Sequence, residues 1–598
     1  MKGSDQGPGA IERPALANET GDYWGSDAMA LMMREIGLPY VALNPGASYR
    51  GLHDSLVNLL GNTAPQMLLC LHEEHAVAIA HGYAKVAGKP MGAIVHSNVG
   101  LMHATMGIFN AWCDRVPVIV FGATGPVDAA QRRPWIDWIH TAQDQGALVR
   151  HYTKWDDRPG SVAAAVESML RAYRMATTSP QGPVYICLDA ALQESRIGAL
   201  PPLPTAERFK PPRPAAPDAA AAAEAAAILQ AAERPLILAG RVARSEAAWD
   251  ARVRLAEALG AIVLTDTKTG ATFPSAHKLH GPPAGAMPGA DACTLIKEAD
   301  AILSLDWVDL GGAFKAACGV EPVKAKIILA SLDHTVHNGW SMDYQILPPT
   351  DLHLPVEPDQ AVAAILPLLK PRQPGWQGYN LKPNALPTLG KGETIAPSDV
   401  AAALRDAVGS RDVCMIRTPL AWAAGYWEAA HPSDLLGGDG GGGIGGGPGM
   451  AVGAALALKE LSGGSGRLPI AVLGDGDCLM GVTALWTAVH YRIPLLVVVS
   501  NNNSFFNDEL HQDRMARQRE RPVANRWIGQ RISDPEPDIA MLARGQGAAG
   551  WGPLRRPEEL PRALRAAIEH VDAGGVALVD VRVDPGYAPA MASSITRG

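Results

Sequence analysis

The stretch from 468 to 512 constrains the fold of this chain more than any other part of the sequence. Two apolar runs, LPIAVL and IPLLVVVS, are short and flanked by turn residues, which predicts buried parallel strands with the helix LMGVTALWTAVHY crossing between them. The first strand ends in Gly-Asp-Gly and the second in three asparagines. Because ligands of open parallel sheets lie off the carboxyl ends of the strands, we expect Asp475 and Asn502 to face one site.

Asp475 and Asn502 offer a carboxylate and an amide oxygen, which are ligands that Mg²⁺ and Ca²⁺ prefer. A Gly-Asp-Gly turn is by itself an ordinary strand exit, and asparagines often satisfy loop backbone. The occurrence of both groups at neighbouring strand ends favours the metal site over the ordinary turn.

An Asp in Gly-Asp-Gly followed 27 residues later by the second Asn of an Asn-Asn pair resembles the metal and diphosphate signature of thiamin-diphosphate enzymes. The segment ALWTAVHYRIPLLVVVSNN is most similar to the benzoylformate decarboxylase branch. The resemblance implies a Mg²⁺ ion held by Asp475, Asn502 and the backbone carbonyl of Ser504. It also implies contacts to the cofactor's diphosphate from the turn and the start of the following helix, at Gly474, Asp477 and Cys478.

The whole chain has 598 residues, too many for one core, and alternating strand and helix patterns predict an α/β fold of three domains, each a parallel sheet flanked by helices. Pro-rich stretches at 200–217 and 369–387 predict linkers. In the family these domains are the pyrimidine-binding, middle and diphosphate-binding domains. We therefore expect a flexible N-terminal arm at 1–20, followed by those domains at 21–198, 218–368 and 390–598, the last with a C-terminal tail that could close over the site.

The helix that opens with LHEEHAVAIAHGYAK carries the residue that the resemblance assigns to cofactor activation. Acidic residues in a first helical turn are usually explained by the helix dipole. In the family pattern, however, the Glu directly after His faces the aminopyrimidine ring, and here that residue is Glu73. Loss of the thiazolium C2 proton requires a carboxylic acid that holds a proton against the ring, so Glu73 is the predicted activating group and Glu74 a neighbour.

A glycine-rich segment at 437–449 is compatible with a flexible loop or a weak phosphate cradle. The resemblance implies that Ile444 lies under the cofactor and keeps its two rings in a bent, V-shaped arrangement. It also implies that a backbone carbonyl near Gly442 accepts a hydrogen bond from the cofactor's 4'-amino group. Extra glycines depart from the family pattern and leave the register of this segment open.

His96 follows the strand MGAIVHS at a position that resembles the active-site histidine of benzoylformate decarboxylase. A lone histidine at a strand end is more often structural. The turn NPGASYRG has Ala47 where the decarboxylase has a substrate-binding serine, which weakens the assignment to an arylglyoxylate. We interpret His103 as an ordinary helix residue.

The asparagines are followed by a charged segment, SFFNDELHQDRMARQRERPVANRWIGQR. It is either a solvent-exposed helical insertion or a part of the functional site. In the functional interpretation Glu509 is a base for a substrate hydroxyl and the arginines bind an anion such as coenzyme A. This ranks a 2-hydroxyacyl-CoA lyase, giving a ketone or aldehyde plus formyl-CoA, first. A benzoylformate-type decarboxylase, an acetolactate-synthase-like carboligase and a non-catalytic scaffold follow in that order.

The remaining expectations concern cofactors, partners and location. Thiamin diphosphate and Mg²⁺ are expected, and FAD or a coenzyme A nucleotide in the middle domain stays open. A formal net charge of -8 gives no reason to expect nucleic acid or an anionic membrane as partner. Seven scattered cysteines without a CxxC pair, no apolar leader and no long apolar run predict a cytoplasmic protein. Because the family assembles its site from two subunits, we expect at least a homodimer, and a homotetramer as the usual form. The expected substrate is a small molecule, which in one interpretation is a coenzyme A thioester.

Overall fold

The structure is a computed structural model, and it describes residues 12–15, 21–282, 285, 287–333, 347–372, 375–381, 384–438, 440–461 and 466–586. Three parallel α/β sheets follow one another along the chain, which confirms the predicted fold class. None of the described helices is long and apolar enough to cross a membrane. The seven cysteines are all free thiols.

The first domain is built on a six-stranded sheet in the order β3-β2-β4-β5-β7-β6, with a small antiparallel pair β1-β8 beside it. Its strands are β1 Tyr23–Trp24, β2 Tyr40–Leu43, β3 Gln66–Leu69, β4 Met91–Ile94, β5 Val118–Thr124, β6 Asp156–Asp157, β7 Val184–Asp189 and β8 Arg196–Gly198. Its helices are α1 Gly25–Glu35, α2 Arg50–Asp54, α3 Glu73–Ala87, α4 Ser97–Cys113, α5 Ile136–Ile139, α6 Val162–Thr177 and α7 Ala190–Gln193.

The middle domain has a five-stranded parallel sheet in the order β10-β9-β11-β12-β13. Its strands are β9 Pro235–Ala239, β10 Ile262–Thr265, β11 Ala301–Leu305, β12 Lys326–Ala330 and β13 Leu352–Leu354. Its helices are α8 Ala219–Ala231, α9 Glu246–Leu259, α10 Ala290–Glu298, α11 Leu310–Cys318 and α12 Pro358–Ile365.

The third domain repeats the architecture with the strand order β14-β15-β16-β18-β17. Its strands are β14 Val413–Arg417, β15 Leu468–Gly474, β16 Leu495–Asn501, β17 Ala549–Leu554 and β18 Val576–Arg582. Its helices are α13 Pro397–Val408, α14 Gly447–Glu460, α15 Asp475–Gly481, α16 Ala484–His490, α17 Phe506–Gln518, α18 Ile539–Gly545 and α19 Leu560–Asp572. β15 and β16 are direct parallel neighbours, as the opening motif predicts.

The first and third domains dock through α3 and α14, and their buried side chains form one continuous core. Glycines allow the two helices to approach closely: a Cβ on Gly82 would lie 2.0 Å from the Met450 carbonyl oxygen, and one on Gly453 would lie 1.9 Å from that of Ile79. Any side chain at either glycine would therefore force the helices apart. This docking places Glu74 and His75, at the start of α3, beside the glycine-rich loop that leads into α14.

The predicted crossing helix after β15 is divided into α15 and α16. The break falls next to Gly481, where a Cβ would lie 2.2 Å from the carbonyl oxygen of Gly445. After the break, the Thr483 hydroxyl lies 2.8 Å from His75 Nε2 on α3. The single predicted helix was wrong because the glycine-rich loop packs against this point, and no periodicity in the sequence reports that contact.

The predicted linkers and termini are described only in part. In the second Pro-rich stretch, Trp376 is buried and donates its indole N–H to the Pro235 carbonyl at 2.6 Å, so this part packs on the middle domain. Within the N-terminal arm, Glu12 accepts a hydrogen bond from the Tyr491 hydroxyl at 2.8 Å. Residues 1–11 and 16–20 of the arm and the tail from 587 to 598 lie outside the described residues, so closure of the tail over the site stays an open question of the sequence.

Candidate functional site

Asp475 and Asn502 lie together at the carboxyl edge of the third sheet. Asp475 Oδ2 and Asn502 Oδ1 both accept a hydrogen bond from the backbone N–H of Ser504, each at 3.0 Å. Burial raises the pKa of Asp475 to about 6, although backbone N–H donors act in the opposite direction. A carboxylate that burial destabilises, next to an amide oxygen, is a donor set suited to a hard divalent cation.

The remaining asparagines of the motif have structural partners. Asn501 is buried and donates its side-chain N–H to Asp580 Oδ1 at 2.8 Å, while Asn503 donates to Glu536 Oε1 at 2.9 Å. Of the three, Asn502 is thus the one whose side chain meets Asp475 through a shared donor. The spacing argument selected the same residue.

Asp477 organises the glycine-rich loop through its side chain. Its Oδ1 accepts from the backbone N–H groups of Gly445 at 2.7 Å and Gly447 at 3.1 Å, and its Oδ2 accepts from Arg417 Nε at 2.8 Å. Arg417, at the end of β14, is a buried partner that sequence reasoning missed. The sequence did contain a signal for this pairing, because an arginine at the end of an apolar strand is unusual unless it has a charged partner.

Cys478 lies in the first turn of α15 and is completely buried, and burial raises the pKa of its thiol. Its thiol is therefore a packing group, and any contact to a phosphate would come from its backbone N–H. Gly474, directly before α15, has open space within 4 Å of where a Cβ would stand.

The glycine-rich loop has two faces. On one side it packs on α4, where a Cβ on Gly443 would lie 2.3 Å from Met106. On the other side Ile444 is 41% exposed and Met480, beside Gly445, is 57% exposed. Gly442, at φ +66°, is in the left-handed region that favours glycine. Exposed apolar side chains at this position form a floor on which a flat ring could rest.

Glu73 begins α3, and its buried side chain is held by α4. His103 Nδ1 lies 3.0 Å from Glu73 Oε2, and a Cβ on Gly100 would lie 3.1 Å from Glu73 Oε1. His103 was interpreted as an ordinary helix residue, and the structure makes it a direct partner of the predicted activating group. Its position seven residues after His96, two helical turns along α4, is the signal that could have identified it.

His96 ends the turn between β4 and α4 and contacts Ser48, which the sequence motifs did not identify as a site residue. Ser48 Oγ lies 2.8 Å from His96 Nδ1 and accepts the backbone N–H of Ser97 at 3.2 Å. Ala47 is exposed, whereas Ser48 is buried, because the Asn-Pro-Gly turn continues into a short 3₁₀ helix at Ala47–Tyr49. The alanine at 47 therefore does not remove a hydroxyl from this edge of the sheet.

A third ring completes this cluster. His140 follows α5 and packs edge-on against His96, with ring centroids 4.6 Å apart. Burial and, secondarily, His140 lower the pKa of His96, so its neutral form dominates at neutral pH. Trp135 and Trp138, next to and within α5, are 70% and 75% exposed.

Glu509 is in the first turn of α17 and only 2% exposed. Its carboxylate accepts from the Ser504 hydroxyl at 2.6 Å and from Arg531 Nε at 3.2 Å, and Arg526 Nε is 3.7 Å away. Arg517 and Arg526 both pair with Asp513, each at 2.6 Å. This arrangement accounts for Arg517, Arg526 and Arg531 as internal bracing, and it gives Glu509 a structural task at Ser504. Its role as a base stays a prediction.

The carboxyl edge of the middle sheet, where a nucleotide was considered, holds ion pairs between domains. Arg115 of the first domain pairs with Asp333, and Arg241 lies 3.7 Å from both Asp306 and Asp333. The presence of FAD or a coenzyme A nucleotide there stays a prediction.

Comparison with protein families assigns the chain along most of its length. Residues 23–149 match the N-terminal TPP binding domain of thiamine pyrophosphate enzymes, residues 222–336 the central domain, and residues 418–581 the C-terminal TPP binding domain. The chain belongs to the thiamine pyrophosphate enzyme family. It is thus a thiamin-diphosphate-dependent enzyme of the carbon–carbon lyase and synthase type, as the opening motif predicts.

Individual relatives of this family member are distant in sequence but cover at least 90% of the chain. Acetolactate synthase of Bacillus subtilis (strain 168) is 24% identical over 94% of this chain and 93% of its own length. Benzoylformate decarboxylase of Pseudomonas aeruginosa is 23% identical over 90% of this chain and 95% of its own length. The crystal structure of benzoylformate decarboxylase from Polynucleobacter necessarius has the same fold, with a TM-score of 0.78, 20% identity and coverage of 95% of this chain and 99% of that one.

Proposed function

We propose that this enzyme is a Mg²⁺- and thiamin-diphosphate-dependent 2-oxo acid decarboxylase of the benzoylformate type. The observation that carries the proposal is the contact between Ser48 and His96, at the same sheet edge that holds Glu73. This pair supplies the polar groups that a free oxo acid needs, and the sequence alone did not reveal it.

The contact limits which atoms can donate to a substrate. Ser48 Oγ accepts from the Ser97 N–H and lies 2.8 Å from His96 Nδ1. We propose the tautomer in which the Ser48 hydroxyl donates to Nδ1, so that the neutral ring carries its proton on Nε2. A neutral N–H donor can hold the carboxylate or the keto oxygen of a 2-oxo acid without adding a permanent charge that would oppose loss of CO₂.

The side chain of the substrate is proposed from the surroundings of His140. Trp135 and Trp138 precede His140 in the chain and present exposed aromatic surface. Asn98 Nδ2 donates to the Ile139 carbonyl at 3.2 Å, which ties α5 to the start of α4. An aromatic or apolar substituent would bury this surface. This supports an aryl or long-chain oxo acid over pyruvate.

The residues fit the cofactor and its metal. Asp475, Asn502 and the Ser504 carbonyl would hold Mg²⁺, and the amides of Asp477 and Cys478 would face the diphosphate. Ile444 and the backbone at Gly442 would support the rings, and Glu73 would hold a proton against the pyrimidine. Thiamin diphosphate supplies the carbon nucleophile and the electron sink that decarboxylation requires.

The 2-hydroxyacyl-CoA lyase that the sequence ranked first receives less support. None of the relatives named above is such a lyase, and Glu509 is engaged by Ser504, Arg526 and Arg531 within its own segment. Acetolactate-synthase-like carboligation is the second candidate, because the Bacillus subtilis synthase is similar along the full chain. Carboligation would share the decarboxylation step.

The complete site is proposed to form between two subunits. Glu73 lies in the first domain and Asp475 in the third, and the resemblance described above implies that these two domains meet across two subunits. A second copy of the chain would bring a third domain to Glu73, giving a homodimer, and a homotetramer as a pair of dimers. A cytoplasmic location accompanies this proposal.

A substrate panel tests the proposal. Purified holoenzyme is incubated with benzoylformate, pyruvate and several 2-hydroxyacyl-CoA thioesters, and CO₂, acetolactate and formyl-CoA are measured by mass spectrometry. Rapid CO₂ release from benzoylformate, slower release from pyruvate and no thioester cleavage are expected. Formyl-CoA without CO₂ release from any oxo acid would overturn the proposal in favour of the lyase.

A further inference from the structure

His103 lies between the buried carboxyl of Glu73 and the protein surface. Its Nδ1 lies 3.0 Å from Glu73 Oε2, and 53% of the His103 side chain is exposed against 8% for Glu73. The ring also stacks on His72, with centroids 5.0 Å apart and an interplanar angle of 18°. In the single chain, His103 therefore contacts the buried carboxyl on one side and solvent on the other.

A buried group that moves protons needs a route to exchange them. Within the part of the chain that the structure describes, the one hydrogen bond to the Glu73 carboxyl comes from His103. The other titratable groups around it are His72, Glu74, Tyr49 and His96. His72 accepts the Glu74 backbone N–H on its Nδ1 as the cap of α3, so that nitrogen is committed to the helix end.

We propose that His103 is a proton relay between solvent and Glu73, acting through the Glu73 carboxyl. In the forward step His103 gives its Nδ1 proton to Glu73 Oε2 and takes one from water or a buffer acid on Nε2, so a carboxylate becomes a carboxylic acid and the ring changes tautomer. The reverse step returns the proton to solvent and restores the first tautomer. Imidazole suits this exchange because it gains and loses protons near neutral pH.

This inference rests on the proposed role of Glu73 toward thiamin diphosphate. A merely structural His103 would hold the carboxyl in place through the hydrogen bond alone. Substitution by Asn separates the two roles, because the Asn Nδ2 stands near the place of the His Nδ1 and can donate to Oε2, but an amide cannot exchange protons with solvent. His103→Ala removes both the bond and the relay.

The experiment measures the rate of C2 proton–deuterium exchange of enzyme-bound thiamin diphosphate by quenched-flow NMR, with cofactor affinity by calorimetry on the same samples. The test variants are His103→Asn and His103→Ala. Glu73→Gln defines the lowest exchange rate expected, and His53→Ala on α2 is the control for loss of an exposed histidine. We expect both His103 variants to bind the cofactor normally and to exchange about tenfold or more slowly, and His53→Ala to match wild type. Added imidazole should restore the rate several-fold in His103→Ala and leave Glu73→Gln unchanged.

Wild-type exchange in His103→Asn with a slow His103→Ala would show that the ring only positions Glu73, and would overturn the relay. Wild-type exchange in both variants, or a slow His103→Ala that imidazole does not rescue, would overturn it as well. Wild-type exchange in Glu73→Gln with bound cofactor would instead defeat the proposed role of Glu73, so the two failures are distinguishable.

Discussion

Asp475 Oδ2 and Asn502 Oδ1 share one backbone donor, the N–H of Ser504, each at 3.0 Å. The two side chains come from neighbouring strand ends, β15 and β16, and the shared donor places their oxygens side by side. The Ser504 hydroxyl, in turn, donates to the buried Glu509 at 2.6 Å. The proposed metal site is therefore braced by the charged segment that follows it.

Ser48 and His96 should be needed for the substrate more than for the cofactor. Ser48→Ala leaves the Ser97 N–H and His96 Nδ1 without their shared partner, and we expect a raised KM and a loss of about tenfold or more in kcat/KM for benzoylformate. His96→Ala should lower kcat further, with thiamin diphosphate affinity unchanged by calorimetry. Ala47→Gly, at the exposed neighbour, is the matched control. Equal loss of cofactor binding in Ser48→Ala would show that the pair is structural.

Glu73 and Asp475 should complement each other across subunits. Glu73→Gln and Asp475→Asn should each lose activity by about a hundredfold or more, since one removes a positioned proton and the other a metal ligand. A mixed dimer contains one Glu73→Gln chain and one Asp475→Asn chain. If each site combines Glu73 of one chain with Asp475 of the other, one site of this dimer carries both substitutions and the other carries none, so activity should return. Absence of recovery in purified mixed dimers, confirmed by mass spectrometry, would place both residues in the site of a single chain.

Glu509→Gln should weaken the fold near Ser504 more than it changes the chemistry. Its arginine partners are partly exposed, at 37% and 47% of their side chains. We expect a destabilisation of about 1–2 kcal/mol, measured as a lower Tm, with kcat for an oxo acid reduced by less than about tenfold. Glu520→Gln, an exposed acid in the same segment, should leave both unchanged. Unchanged Tm with selective loss of thioester cleavage would restore Glu509 as a base.

Stability should fall in mild acid because of His75. Burial, and secondarily His72, lower the pKa of His75 from 6.5 to about 4, and its Nε2 lies 2.8 Å from the Thr483 hydroxyl in the contact between the first and third domains. The unfolded chain takes up this proton first, so the stabilisation is complete above pH 6.5 and is lost as the pH falls toward 4. Between about pH 7.5 and about pH 5 the group accounts for roughly 2 kcal/mol. His75→Gln should flatten this part of the Tm profile, and an unchanged profile would contradict the assignment.

The sequence predicted the three sheets, and the meeting of Asp475 with Asn502 at one sheet edge, because these follow from local pattern. Apolar runs identify β15 and β16, and adjacent parallel strands must end at one edge. The contacts of Ser48 and His103 could not be read in this way, since each depends on how a turn or helix packs against another element. The division of the crossing helix at Gly481 has the same origin, because the glycine-rich loop that packs there is far away in sequence.

The central claim is that Asp475 and Asn502 hold the metal ion through which thiamin diphosphate binds. Calorimetric titration tests it most directly: the cofactor-free enzyme is titrated with thiamin diphosphate, once with Mg²⁺ present and once with EDTA in its place. Binding should require the metal, should be abolished in Asp475→Asn and Asn502→Ala, and should persist in Asp508→Asn, an exposed carboxylate on the neighbouring helix. Tight binding in EDTA, or unchanged binding in Asp475→Asn, would contradict the account.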